Sequence, residues 1–274
     1  MMQKDFEVFI EEDLGFGDIS SMAIPDIDVN ANIISKEKGI LAGLNEAIDI
    51  FSYLGLETSS KFSDGTRIDE GDLILSISGS SRGISKAERL ALNFLGRMSG
   101  ISTLTDKLVE RVCGKVIIAG TRKTTPGFRK YEKKAIILGG GDPHRFNLSD
   151  AVMIKDNHIK VAGLKDAIKA AKATCFTKKI EVEVESAEDA VMAAELGVDI
   201  LMLDNMKPEE ISKTVQLLKE EGLRRDLILE ASGGITLEVI SEYADTGVDV
   251  ISMGSLTTDA RWLDFGLYIE KVGD

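Results

Sequence analysis

From Val116 onward, short β-branched or apolar runs alternate with helical patterns, and no other feature of this 274-residue chain constrains its fold so tightly. The runs are 116–119, 151–154, 180–184, 200–203, 227–229 and 248–253, and helical patterns at 162–173, 187–196, 208–221 and 237–246 separate the later ones. Landmarks at successive strand ends, Lys155, Glu183, Asp204, Ser232 and Gly254, lie 28, 21, 28 and 22 residues apart, the length of one strand plus one helix. Parallel neighbours need a crossover of a dozen or more residues, so units of this length predict a parallel sheet. Six units fit an incomplete α/β barrel better than the eight of a full one, although a doubly wound sheet shares the same local pattern. The barrel is favoured by where the polar residues fall. Each run ends in an unusual cluster: Thr121-Arg122-Lys123, Lys155-Asp156-Asn157-His158, Glu181 to Glu185, Asp204-Asn205, Ser232-Gly233-Gly234 and Met253-Gly254-Ser255. Barrel enzymes build their sites at that end of the strands.

The first hundred residues carry helix and strand signals without a repeating unit and predict a small α+β domain. Helices are expected at 3–11 and 44–54, and strands at 29–35 and 73–78. A long helix should open at Ser85, where Ser85-Lys86-Ala87-Glu88 reads as a capping box, with Gly96 and Gly100 placed to break it. The boundary is set near 110, giving domains 1–110 and 111–274, with a C-terminal helix able to pack back on the first.

Composition narrows the classes. Hydrophobic residues make up 43%, Pro is 4, and the 26 Gly follow no three-residue period, which excludes disorder and collagen. No apolar run approaches the roughly 20 residues of a membrane span, and 1–13 lacks the basic start and apolar stretch of a signal peptide, so a cytoplasmic setting is expected. Cys113 and Cys175 are read as core residues in a reducing interior. A net charge of −13 argues against nucleic-acid and membrane-surface partners. That charge is uneven: 121–160 holds nine basic residues against four acidic ones, together with both histidines, His144 and His158. Lys130, Lys133 and Lys134 fit a solvated helix face, whereas Arg122, Lys123, Arg145 and Lys155 sit beside strand ends and glycine clusters.

These clusters carry chemistry. Ser232-Gly233-Gly234, between a strand and the helix expected from Leu237, offers backbone N–H groups and a helix N-terminus to a phosphate, and Met253-Gly254-Ser255 offers the other half; ordinary turn chemistry is the alternative. Glu183 and Asp204 end neighbouring strands without Cys or His companions, a donor set suited to Mg²⁺ shared with substrate oxygens. A solvated edge strand would also explain the Glu181, Glu183, Glu185 alternation, but a parallel strand of this class is buried on both faces. Arg122, Lys123, Arg145 and Lys155 form a cationic rim able to hold a ligand with several anionic groups. His144 is a hydrogen-bond donor, an acid/base or a structural residue; His158 is assigned to structure.

The motifs in this order resemble quinolinate phosphoribosyltransferase nearly end to end. The resemblance is carried by Glu88-Arg89, Ser99-Gly100-Ile101, Thr121-Arg122-Lys123-Thr124-Thr125-Pro126-Gly127, Gly139-Gly140-Gly141 and His144-Arg145. It continues through Ile154-Lys155-Asp156-Asn157-His158, Glu181-Val182-Glu183, Leu203-Asp204-Asn205 and Ser232-Gly233-Gly234-Ile235. It implies an N-terminal α/β sandwich and a six-stranded incomplete barrel, paired as a homodimer or a hexamer of dimers. It also implies conversion of quinolinate and 5-phosphoribosyl-1-pyrophosphate to nicotinate mononucleotide, pyrophosphate and CO₂ with Mg²⁺. Carried over by motif, Thr121, Arg122, Lys123, His144, Arg145 and Lys155 would serve the quinolinate carboxylates and the pyrophosphate, with Arg97 reaching in from the other subunit. Glu183 and Asp204 would engage ribose hydroxyls and magnesium, while Ser232, Gly233, Gly234, Met253, Gly254 and Ser255 would hold the 5-phosphate. Two positions depart from the pattern: Gly120 stands where the family often has Asp, and Thr258 where it often has His.

Other readings are a nicotinate phosphoribosyltransferase, a molybdenum-associated paralogue, a Schiff-base aldolase using Lys155, and a sugar-phosphate-binding protein without catalysis. The intact Lys-Asp-Asn-His segment argues against the paralogue, and the undamaged acid pair and cationic rim against the last. Arg97, Arg122 and Arg145 together favour a dicarboxylate over nicotinate.

Overall fold

The computed structural model describes residues 3–270, with side chains from residue 7 onward. The elements of the first hundred residues are α1 Gln3–Leu14, β1 Asp28–Ser35, β2 Gly39–Ile40, α2 Leu44–Tyr53, β3 Glu57–Ser59, β4 Arg67–Ile68, β5 Leu73–Ser80 and α3 Ser81–Val112. Then come β6 Ile117–Ala119, α4 Arg129–Leu138, β7 Val152–Ile154, α5 Asp156–Ala162, α6 Leu164–Thr174, β8 Ile180–Val184, α7 Ala187–Glu195 and β9 Ile200–Asp204. The chain closes with α8 Pro208–Glu220, β10 Ile228–Ser232, α9 Ile240–Ala244, β11 Val250–Ser252, α10 Ser255–Thr258 and β12 Phe265–Ile269. It divides into two compact units, one running to Leu104 and resuming at Ala260, the other Thr105–Asp259. Where a C-terminal helix was expected, the returning segment is the strand β12. Among the described residues no helix is long and apolar enough to cross a membrane.

The first unit is built on a four-stranded antiparallel sheet in the order β12-β1-β5-β3. In β1 alternation decides the faces: Val29, Ala31, Ile33 and Ser35 are buried while Asn30 and Asn32 lie opposite them. Phe51 of α2 and Phe94 and Met98 of α3 are buried in this unit, and burial of each such side chain contributes on the order of 2 kcal/mol. The helix α3 starts at Ser81 rather than Ser85, and Gly96 and Gly100 do not break it. They are packing notches instead. A Cβ on Gly100 would lie 2.1 Å from the Arg261 carbonyl oxygen, so only glycine lets the returning chain pass that close.

The second unit is a six-stranded, all-parallel sheet in the order β6-β11-β10-β9-β8-β7. Its first strand pairs with its last and no pairing joins β6 to β7, which is the order of a barrel open along one seam. A doubly wound sheet would instead reverse strand order at a switch point. A parallel bridge between Ala119 and Asp142 lies beside that seam. At the N-terminal strand ends, Asp199 accepts from the Ile180 amide at 2.7 Å and Asp249 from the Leu229 amide at 2.8 Å, so that face is committed to holding strands together. The C-terminal ends carry the polar clusters.

Candidate active site

Strand register sets the site in layers. Glu183 of β8, Met202 of β9 and Glu230 of β10 are register partners, and two residues further along Asp204 stands beside Ser232. Side chains two apart on a strand share a face. Glu181 and Glu183, Met202 and Asp204, and Glu230 and Ser232 therefore climb the interior together. Glu181 and Glu230 are each 1% exposed, while Glu183 and Asp204 are half-buried.

These layers open into a cavity of about 380 Å³. It is lined by nine residues expected from the sequence: Thr121, Arg122, Lys123, His144, Arg145, Lys155, Glu183, Asp204 and Ser232. Gly120, Met153, Met202, Glu230 and Ser252 complete the wall. Gly233, Gly234, Met253, Gly254 and Ser255 flank Ser232 and Ser252 outside that lining. Arg97 belongs to the first unit, where its Nη1 donates to the Ala260 carbonyl at 3.3 Å.

The charges are arranged for an anionic guest. Lys155 Nζ bonds the Glu183 carboxylate. Burial and then the neighbouring Glu183 charge raise the Asp204 carboxyl above its ordinary value. Arg122 Nε and Ser252 Oγ are buried without a hydrogen-bond partner. Buried polar atoms are nearly always satisfied, so two orphans on one cavity wall fit a site completed by ligand.

Deeper in, His144 Nε2 lies 3.1 Å from Glu230 and 3.8 Å from Glu181. Burial opposes a charge on the ring, yet the Glu230 hydrogen bond and both carboxylate charges outweigh it and raise His144 above its ordinary value. Burial, then the Glu230 charge, pushes Glu181 up to about 7. The His144 backbone is itself left-handed at φ 54°, a conformation that costs a non-glycine residue about 1–2 kcal/mol, and its amide is held by Asp142 at 2.6 Å. Asn205, just after Asp204, is left-handed as well, at φ 56°.

The helix α4 ties the two cationic loops down. Buried Glu132 accepts from the Thr125 amide at 3.0 Å and its hydroxyl at 3.1 Å, and Arg129 Nε donates to the Thr124 hydroxyl at 2.9 Å. Lys133 corrects the solvated-face expectation: it is 2% exposed and bonds the Pro143 carbonyl, one residue before His144. Burial, reinforced by Arg129, lowers its amine to about 8. Helical periodicity alone does not distinguish a lysine on the solvent face from one aimed at a loop. His158 keeps its structural role, its Nδ1 accepting from the Lys155 amide at 3.0 Å at the start of α5.

Three further expectations change. The cysteines are not core residues, since Cys113 is exposed and Cys175 intermediate. The glycine turn does not lead straight into a helix: α9 begins at Ile240 and has five residues, so no helix N-terminus backs the turn. What remains is the backbone itself, with Gly233 and Gly234 at φ 96° and 62°. A Cβ on Gly233 would sit 2.3 Å from Asn205 Oδ1, so the turn needs glycine there. The Met253 amide donates to Ala119 at 2.9 Å and is spent on the sheet. At Gly120 a side chain would meet Ile136 Cδ1 at 2.6 Å, so the room for an Asp at that position is taken by isoleucine.

Sequence reasoning ended the β10 run at Leu229 and so missed Glu230, although one acid inside the stretch Leu227 to Ala231 was a visible signal. The model of the quinolinate phosphoribosyl transferase C-terminal domain matches residues 101–268, and that of the N-terminal domain residues 18–99. A protein of Archaeoglobus fulgidus named probable nicotinate-nucleotide pyrophosphorylase [carboxylating] is 49% identical over 93% of this chain and 98% of its own. One of the same name from Methanothermobacter thermautotrophicus is 45% identical over 95% and 96%. The crystal structure of NadC from Streptococcus pyogenes superposes with a TM-score of 0.91 at 40% identity, covering 98% of this chain and 97% of that one.

Proposed function

This chain belongs to the quinolinate phosphoribosyl transferase family, and we propose that its barrel cavity transfers the phosphoribosyl group of 5-phosphoribosyl-1-pyrophosphate to quinolinate, yielding nicotinate mononucleotide, pyrophosphate and CO₂. The observation that carries this reading is one cavity in which Arg122, Lys123, Arg145 and Lys155 surround the Glu183–Asp204 pair. Four cations suit two polyanionic substrates; two carboxylates suit the hydroxyls and the cation that accompany them.

Arg122 and Arg145 hold the two quinolinate carboxylates, with Arg97 contributed by a second copy of the chain. Lys123 and Lys155 face the pyrophosphate. The Ser232-Gly233-Gly234 turn, with Gly254 beside Lys123, takes the 5-phosphate. The oxygen donors Glu183 and Asp204 fit a hard cation, and Mg²⁺ bound there would supply positive charge to the departing pyrophosphate. As that group leaves C1 of the ribose, the cations neutralise its growing charge. The cavity holds the pyridine nitrogen against the cationic carbon, so positioning and electrostatics do most of the work. Quaternisation of the ring then weakens the bond to the C2 carboxylate, which leaves as CO₂. Two free cysteines are in keeping with a cytoplasmic setting.

The test is incubation with Mg²⁺, 5-phosphoribosyl-1-pyrophosphate and carboxyl-labelled quinolinate, with nicotinate in a parallel tube. Equal amounts of labelled CO₂ and nicotinate mononucleotide from quinolinate are expected. Turnover of nicotinate without CO₂, or silence in both tubes, overturns the reading.

A further inference from the structure

Loss of CO₂ leaves an electron pair on C2 that must take a proton, and none of the groups assigned above supplies it. Below the substrate cavity lies a second one of about 540 Å³, lined by Glu181 and, near the N-terminal strand ends, by Ile117, Ile200, Ile228 and Val250. His144 and Glu230 line both cavities, so they form part of the partition between them. Both oxygens of Glu181 and Oε1 of Glu230 are buried without a hydrogen-bond partner. The His144 ring, its Nε2 3.1 Å from Glu230, is therefore fixed at the partition by a buried carboxyl group.

We propose that His144, held by Glu230, is the proton donor to C2 of the pyridine ring in the decarboxylation step. This rests on the decarboxylating reading above. The step balances. As the C2–carboxylate bond breaks and CO₂ departs, the electron pair developing on C2 takes the Nδ1 proton of the imidazolium in the same step, forming C2–H. The ring keeps its Nε2 proton, shared with Glu230, and regains the other from water after product release. Nothing is oxidised or reduced. Glu230 acts through the ring, as a positioning residue. The charged groups that face His144 are Glu230 from β10, Glu181 from β8 and Lys133 from α4, with Arg145 next in sequence.

The fixed left-handed backbone supports this role. A histidine held by Asp142 at its amide and by Glu230 at its ring has little freedom to turn from the partition, as a proton donor to the electron pair developing on C2 requires.

The experiment is a single turnover of the intact enzyme with Mg²⁺, 5-phosphoribosyl-1-pyrophosphate and carboxyl-labelled quinolinate, with pyrophosphate and labelled CO₂ followed separately. Glu230→Gln keeps shape and volume and removes the charge; His144→Gln removes the donor. Both are checked for folding by their melting curves. For Glu230→Gln, pyrophosphate should appear at close to the wild-type rate while CO₂ release slows about a hundredfold, so that the dicarboxylated mononucleotide accumulates. His144→Gln should slow CO₂ at least as much. If pyrophosphate and CO₂ slow together in Glu230→Gln, or neither slows, the proposal is overturned. If wild-type enzyme releases pyrophosphate from nicotinate and no CO₂ from quinolinate, the decarboxylating reading fails first, and the donor falls with it.

Discussion

Lys133 shows how one side chain can trade stability for site geometry. Its amine is buried and lowered to about 8, so between about pH 8 and 10.5 the folded chain binds fewer protons at this position than the unfolded chain. A depressed lysine is a destabilising group whose penalty is fully present below pH 8 and fades as pH rises toward the unfolded value. Lys133→Met should therefore be favoured over wild type at pH 7, and the wild type should recover about 2 kcal/mol on it by pH 10, read from urea unfolding at both pH values. A difference that stays constant with pH would mean the amine stays charged throughout. The same variant frees the Pro143 carbonyl beside His144, so its kcat/KM should drop although its fold is firmer. Arg122 poses the opposite case. Its Nε is buried without a hydrogen-bond partner, so the proposed role on quinolinate predicts that Arg122→Ala leaves the melting temperature almost unmoved while raising the KM for quinolinate roughly ten- to a hundredfold, the equivalent of about 1.5–3 kcal/mol for a charge-assisted contact. An unchanged KM would remove Arg122 from the substrate.

At the scale of elements, α3 decides between two readings of a glycine. In an isolated helix Gly→Ala gains about 1 kcal/mol of helix propensity. At Gly100 the new Cβ would lie 2.1 Å from a backbone oxygen, which has to move, and overpacking of that kind typically costs about 1–3 kcal/mol or more. Gly100→Ala should accordingly destabilise by roughly 2 kcal/mol net, and Gly96→Ala, whose nearest atom is at 3.0 Å, by clearly less; the comparison is a pair of denaturation curves. A stabilised Gly100→Ala would show that propensity wins and that the returning chain is not held there. The misreading of these glycines is instructive, because periodicity reports which residues face one side of a helix and says nothing of what backbone lies against it. The strands of the barrel were legible for the converse reason: β9 is an apolar run ending in an acid, and β8 is buried on both faces although acids alternate along it, which such a strand would not otherwise tolerate. Short elements were less legible. The helix α9 has five residues where ten were expected, because its helical pattern begins at Leu237 but regular turns form only from Ile240. Lys133 was hidden by a related limit, since its burial depends on the Pro143 carbonyl of a loop outside its own helix, which helical periodicity does not report.

For the whole molecule the question is how a chain of net charge −13 recruits substrates that are themselves polyanions. The unit that carries the cavity is nearly balanced, with 22 basic against 26 acidic residues in 105–259, and within it 121–160 holds nine basic against four acidic. Two fields therefore act on an approaching phosphate: a repulsive one summed over many dispersed acids, and an attractive one from a few cations around the cavity. They differ in range. The Debye length is about 30 Å at 0.01 M salt and about 10 Å at 0.1 M, so the first additions of salt screen the dispersed repulsion and leave the local attraction largely intact. Toward 1 M, where the Debye length is about 3 Å, the attraction is screened as well. We therefore expect kcat/KM for 5-phosphoribosyl-1-pyrophosphate to rise and then fall with added salt, with its maximum near 0.1 M, while kcat at saturation changes little. A monotonic fall from the lowest salt would mean the island dominates at every distance, and a monotonic rise would mean the cations are already neutralised by Glu183 and its neighbours. Lys123→Gln discriminates further, because Lys123 is the exposed member of the rim. It should flatten the descending limb and leave the ascending one in place, since the acids responsible for the rise lie elsewhere on the surface.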